Sequence, residues 1–163
     1  MDIRKIYEYA LQREYEGKNF FEQNAGRLNN AVAANAFKKL VGEEQKHIEF
    51  IQNQIELLGK GKASSAELGQ ALQKEGFFSQ RAISESVEQS VNESMVADLP
   101  VLRMAFLIER DFAEFYEMAA GKAEGDEKAV LSMLANWERG HERLFKIFHD
   151  KAFEEYAQMP WGG

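Results

Sequence analysis

Residues 43–49 read EEQKHIE, and within them Glu44 and His47 stand three positions apart, so both side chains leave the same face of a helix. Outward from that pair, Phe37, Leu40, Val41, Ile48, Ile51, Ile55 and Leu58 recur at helical spacing as an apolar stripe that Glu44 and His47 interrupt. Two polar groups are thus aimed at what should be core, where burial without partners costs roughly 2–7 kcal/mol each. A second copy, WERGHE at residues 137–142, sets Glu138 and His141 into a stripe of Val130, Leu134, Trp137, Leu144, Phe145 and Phe148. A metal held between helices offsets the cost of burying such groups.

The rest of the chain reads as a scaffold for that device. Ile3, Tyr7, Ala10, Glu14, Gly17, Phe21 and Leu28 form the inward stripe of a first helix over about residues 2–26, capped by Asp2 and stopped at Gly26. Asn30 caps the second helix, which ends at Gly59. Asp98 and Pro100 open a third, with Leu102, Ala105, Glu109, Phe112, Tyr116 and Ala119 inward and Gly121 as its stop. Asp126 caps the fourth, which runs to about Ala157. Between the second and third helices, residues 60–100 form a long crossover that is partly helical. Ser64 and Glu67 have capping-box spacing ahead of a short helix, and Ile83, Val87, Val91 and Met95 make a narrow stripe on a longer one. The expected fold is all-α: an antiparallel four-helix bundle forming a single domain over 1–163, with a loose tail at 158–163.

The chain repeats itself. ALQREYEGKNFFEQNA from Ala10 aligns with AFLIERDFAEFYEMAA from Ala105, placing Glu14 on Glu109, Phe20 on Phe115 and Phe21 on Tyr116 at a shift of 95, while the Glu-x-x-His motifs match at a shift of 94. Each half is one helix with an inward Glu followed by one with inward Glu and His. A lone Glu-x-x-His is ordinary on an exposed helix; two copies inside a repeat are not. Together the halves supply Glu14, Glu44, His47, Glu109, Glu138 and His141. Four carboxylates balance the charge of two divalent ions, and one imidazole per ion favours iron or manganese over magnesium or calcium. One Glu from each of two helices and Glu-x-x-His from each of the other two is the four-helix dimetal carboxylate arrangement.

Composition narrows the chemistry further. With no cysteine, iron–sulfur clusters, rubredoxin-type iron and thiol nucleophiles are excluded, so any metal is held by carboxylate and imidazole. A net charge of −7 without a basic arm argues against nucleic acid. No apolar run nears the roughly 18 residues of a membrane span, and MDIRKIYEYA lacks the apolar centre of a secretory signal, so a cytoplasmic location is expected. Glu16, Glu43, Asp111 and Glu142 adjoin the six candidates but should point sideways, His149 reads as a surface histidine, and Trp137 with the aromatic pairs at 20–21 and 115–116 reads as core.

Over nearly its whole length the chain resembles the ferritin-like superfamily, and within it the rubrerythrin-like proteins. The resemblance is carried by Glu14 with Phe20 and Phe21 following, Glu44-x-x-His47, Glu109 with Phe115 and Tyr116 following, and Glu138-x-x-His141, in that order around the crossover. It implies two iron ions per chain, with manganese or zinc as alternatives. Glu14 and Glu109 would be terminal ligands, Glu44 and Glu138 bridging ligands, and His47 and His141 the imidazole on each ion. It implies a peroxidase acting on hydrogen peroxide, or a centre reacting with dioxygen, with a separate electron donor protein because no rubredoxin domain is present. Two positions depart from the family's pattern: Phe112 stands where well-known rubrerythrins carry an additional glutamate, and Phe21 where a tyrosine would support a ligand. Other readings are a ferritin-like iron-binding or ferroxidase protein and a non-catalytic helical interaction module. The unassigned stripe in the crossover suggests a homodimer.

Overall fold

The computed structural model describes residues 1–75 and 94–160, and among them it contains five α-helices and no strand. The helices are α1 (Ile3–Asn24), α2 (Ala31–Gly59), α3 (Glu67–Glu75), α4 (Leu99–Lys122) and α5 (Gly125–Gln158), with short 3-10 turns at Ala25–Arg27 and Val96–Asp98. No helix among the described residues is long and apolar enough to cross a membrane.

Four of these helices make the expected antiparallel bundle, and its directions follow from which residues share a core. One apolar cluster gathers Phe21, Phe37, Leu40, Leu102, Ala105, Leu144, Phe145 and Phe148. The other gathers Tyr7, Ala10, Ile51, Phe112, Tyr116, Val130, Leu131 and Leu134. Along α1 and α5 the chain passes from the second cluster to the first, and along α2 and α4 from the first to the second. α1 packs chiefly on α2, α4 on α5, and α1 also touches α4. Each fully buried Phe or Leu here contributes roughly 1.5–3 kcal/mol. Between the two clusters every long helix places a carboxylate, so the polar layer is closed by apolar side chains at both ends.

The caps differ in part from the sequence expectation. Asp2 accepts the Lys5 N–H and Asn30 accepts the Ala33 N–H, as expected. Gly26 is not a left-handed stop: the chain leaves α1 through a 3-10 turn, the Ala25 N–H bonds to the Phe21 carbonyl and the Asn24 amide to the Phe20 carbonyl, so the last carbonyls are satisfied without positive φ. Left-handed backbone occurs instead at Gly61 (φ 70°) after α2 and at Gly125 (φ 55°) where α5 begins, and α4 runs past Gly121 to Lys122. Asp98 precedes α4 but does not cap it; its buried carboxylate accepts the backbone N–H groups of Asn29 and Asn30, both at 2.8 Å, tying the α1–α2 connection to the start of α4. Asp126 lies in the first turn of α5 rather than at its cap.

The crossover begins as a short helix, α3, as expected, but not through the Ser64–Glu67 capping box. Ser64 is buried against the Tyr7 hydroxyl at 2.8 Å, and the Glu67 N–H reaches Ser65 Oγ instead. Gln54 fixes this segment with two 2.8 Å bonds to the Ser65 backbone. Of the narrow stripe, Met95 is a buried member of the first core cluster, whereas Ile83, Val87 and Val91, with the longer crossover helix expected there, lie outside the described residues.

Candidate metal centre

The structure brings all six sequence-selected side chains together. Glu14, Glu44, Glu109 and Glu138 are fully buried, and His47 and His141 are 3% and 1% exposed. Their positions follow from helix geometry: with about 100° per residue, the face that carries the apolar stripe also carries these groups at mid-helix.

The contacts divide the six into two overlapping sets. His47 Nδ1 lies 3.4 Å from Glu14 Oε2, 3.2 Å from Glu44 Oε2 and 2.9 Å from Glu138 Oε1. His141 Nδ1 lies 3.5 Å from Glu44 Oε1, 3.3 Å from Glu109 Oε2 and 3.2 Å from Glu138 Oε2. Glu44 and Glu138 therefore present one oxygen to each imidazole, whereas Glu14 serves only the first set and Glu109 only the second. Within each set of four, one ligand atom per residue can be chosen so that all lie within 4.8 Å of one another. The two imidazoles stack on each other at 5.3 Å with 7° between their planes.

The donor set fits a pair of divalent cations. As carboxylates, Glu14 Oε2, Glu109 Oε1 and both oxygens of Glu44 and Glu138 accept no hydrogen bond, although all are buried. Ionised groups in that state are expensive unless a cation reaches them. The protonation pattern of the metal-free chain leads to the same conclusion. Burial, then the charges of Glu138 and Glu44, push Glu14 well above the carboxylate range, and burial with the same two charges does so for Glu109. Burial also acts to raise Glu44 and Glu138, but the close His47 and His141 rings and the neighbouring Glu14 and Glu109 carboxyls outweigh it, holding Glu44 at about 2 and Glu138 well below the usual value. Against burial, the surrounding carboxylates raise His141 to about 9 and His47 well above its usual value. The shifts thus favour retained protons on Glu14, Glu109, His47 and His141, positive charge gathered against the Glu44 and Glu138 carboxylates. Two divalent ions would supply that positive charge instead, since four carboxylates, two neutral imidazoles and two divalent ions sum to zero.

The neighbours divide as the helix faces require, with one addition. Glu16 and Asp111 are exposed, and Glu43 ion-pairs with Lys46 at 3.3 Å. Glu142 points aside from the donors, yet it is only 8% exposed and accepts Arg110 at 3.0 Å and Arg139 at 2.5 Å. His149 lies near the surface beside Asp150 and against Phe106. Tyr116 donates its hydroxyl to Glu14 Oε1. Trp137, read as plain core, stacks on His47 at 4.8 Å and 20°. Its place next to Glu138 on the flank of the inward face was the only signal of that contact.

Phe112 meets α1 where α1 has no side chain. A Cβ at Gly17 would stand 2.7 Å from Phe112 Cε2, so the glycine makes room for the ring.

Neither the curated proteins nor the solved structures gave a match to this chain. A family model described as Rubrerythrin matches residues 5–147, a span that contains all six donors, both Glu-x-x-His motifs and the crossover. With a helical bundle of the expected order and a buried carboxylate–imidazole layer that could hold metal, the chain belongs to the rubrerythrin family, whose members are diiron-carboxylate proteins.

Proposed function

We propose that this chain is a diiron-carboxylate oxidoreductase that holds two iron ions through Glu14, Glu44, His47, Glu109, Glu138 and His141 and reduces hydrogen peroxide. The observation that carries the reading is that Glu44 and Glu138 each turn one oxygen to His47 and the other to His141, the disposition of bridging ligands, while Glu14 and Glu109 serve one side each.

Bound at this site, an iron pair would supply the two electrons, one from each ion, that reduction of peroxide to two waters consumes together with two protons. The chain supplies the rest. The carboxylates balance the ionic charge, and the near-equal donor sets give both ions the same ligand types, which suits a substrate whose two oxygens are alike. The aromatic and aliphatic layers on either side exclude bulk water. Tyr116 holds a proton against Glu14 Oε1 at the edge of the site, kept protonated by its burial and by the nearby carboxylate charges. Electrons return from a donor outside these 163 residues, which hold no cysteine for a rubredoxin-type iron.

The test is to mix ferrous protein with limiting hydrogen peroxide and, separately, with limiting dioxygen at matched concentrations. Faster oxidation by peroxide is expected. Faster oxidation by dioxygen with release of a ferric mineral would reject the peroxidase reading in favour of iron oxidation.

A further inference from the structure

The two halves present the same donors, but the groups behind those donors differ. We propose that Tyr116 makes the two metal subsites unequal, so that the subsite of Glu109 and His141 fills first and that of Glu14 and His47 second. The inference rests on the metal pair argued above.

On one side, the Tyr116 hydroxyl is bonded to Glu14 Oε1. That oxygen already shares its electron density with the phenol proton, and Oε2 is the one that faces His47. On the other side, Glu109 Oε1 is buried and accepts no hydrogen bond, while Oε2 faces His141. Glu109 can therefore offer a cation both oxygens and its full charge. The position equivalent to Tyr116 in the first half is Phe21, fully buried, its ring packed against Phe37 at 5.1 Å and Phe145 at 5.6 Å. It has no hydroxyl to give. A phenol on a ligand carboxylate withdraws electron density from the oxygen that faces the metal, and outer contacts of this kind change metal affinity by about 10–100-fold. Tyr116 is thus a positioning residue, acting through Glu14.

Because Phe21 and Tyr116 are repeat equivalents, the hydroxyl can be moved from one side to the other. Metal-free protein should be titrated with Mn(II), which does not turn over in air, and crystals grown with one equivalent of Mn(II) should be examined by anomalous diffraction. In the native chain the two binding steps should differ by about tenfold, with density mainly at Glu109 and His141. Tyr116→Phe should bring the steps together. Adding Phe21→Tyr to it should separate them again with the order reversed. Phe21→Tyr alone supplies the same comparison by giving both sides a hydroxyl, and it too should merge the steps. Two ions bound in equal steps by the native chain, or steps unchanged by Tyr116→Phe, would overturn the inference while leaving the paired site in place. A chain that takes up no Mn(II) at all would instead overturn the metal reading beneath it.

Discussion

Gly17 of α1 and Phe112 of α4 hold the same position in the two halves, three residues after Glu14 and Glu109, and they meet each other across the bundle. The donors one turn earlier are identical, whereas this pair could hardly differ more in size. The contrast separates two kinds of constraint. A donor that matches its counterpart lets the layer offer the same ligand types on both sides. A packing residue on the approximate symmetry axis must complement its counterpart, because the same space cannot hold two phenyl rings.

The donors give the largest predicted effect. Glu44→Ala and Glu138→Ala should each take metal content from about two ions per chain to below one, because each carboxylate serves both sets. Glu43→Ala and Glu142→Ala should leave it near two, since their side chains pair with Lys46 and with Arg110 and Arg139 instead. Elemental analysis after anaerobic loading with ferrous iron decides it. Equal losses from both pairs of substitutions would mean that the inward faces have been misassigned.

Protons test the same symmetry. In the metal-free chain His141 is raised to about 9 and His47 is raised as well, so each contributes stability that is complete below the unfolded histidine value near 6.5 and is lost as pH climbs through the folded value. Glu14 and Glu109 are also raised, and their contributions likewise fall as pH rises. Glu44, depressed to about 2, works in the opposite sense: its contribution is present above the unfolded value and is lost only as pH falls toward 2. The metal-free protein should therefore lose stability between about pH 6.5 and 9. The metal-loaded protein, in which the ions have replaced those protons, should not. Denaturant titrations of both forms across that range would expose the difference, and parallel curves would contradict the assigned protonation states.

The packing pair should show a smaller effect. Gly17→Ala pushes a methyl into Phe112 Cε2 and should cost about 1–3 kcal/mol. Gly121→Ala, at a position with nothing within 4 Å, should be neutral or slightly stabilising because alanine is the better helix former. Combining Gly17→Ala with Phe112→Leu should return part of the loss. Additive losses in the double variant would show that the two residues do not compete for one space.

Legibility in the sequence followed the same division. The donors were readable because each interrupts an apolar stripe and because the interruption recurs, so spacing alone assigned Glu14, Glu44, His47, Glu109, Glu138 and His141 to one layer. The bundle was readable for the same reason. What escaped were contacts between residues distant in the chain. Asp98 stands where a cap belongs but bonds to Asn29 and Asn30, 69 and 68 residues away, and no local rule distinguishes the two uses of an aspartate. Ser64 left its capping box for Tyr7, 57 residues earlier. Trp137 looked like core, and only the packing of α2 on α5 put its indole against His47. Glycine stops were misjudged at Gly26 and Gly121 because the chain had other ways to satisfy its last carbonyls.

The smallest effect concerns the flank of the site. Arg139 is the repeat equivalent of Gln45, yet Gln45 accepts Lys18 at 2.9 Å whereas Arg139 joins α5 to α4 by two bonds to Glu117, at 2.9 and 2.8 Å, and bonds to Glu142 within α5. Arg139→Gln makes the second half resemble the first at this point. The Glu117 side chain is 49% exposed and that of Arg139 29%, so their pairing is screened by water and contributes roughly 0.2–1 kcal/mol. Glu142 is the more buried partner, but its other oxygen keeps Arg110 at 3.0 Å, so its charge stays compensated. The substitution should therefore lower stability by under about 1 kcal/mol, a melting shift of about 2–4 °C at most for a chain of this length, with metal content unchanged. The difference should shrink further in about 1 M salt, where the Debye length falls to about 3 Å. A loss beyond about 3 kcal/mol would mean that Glu142 depends on Arg139 as the partner of a buried charge. In that case the second half would be held by an ion-pair network that the first half does without.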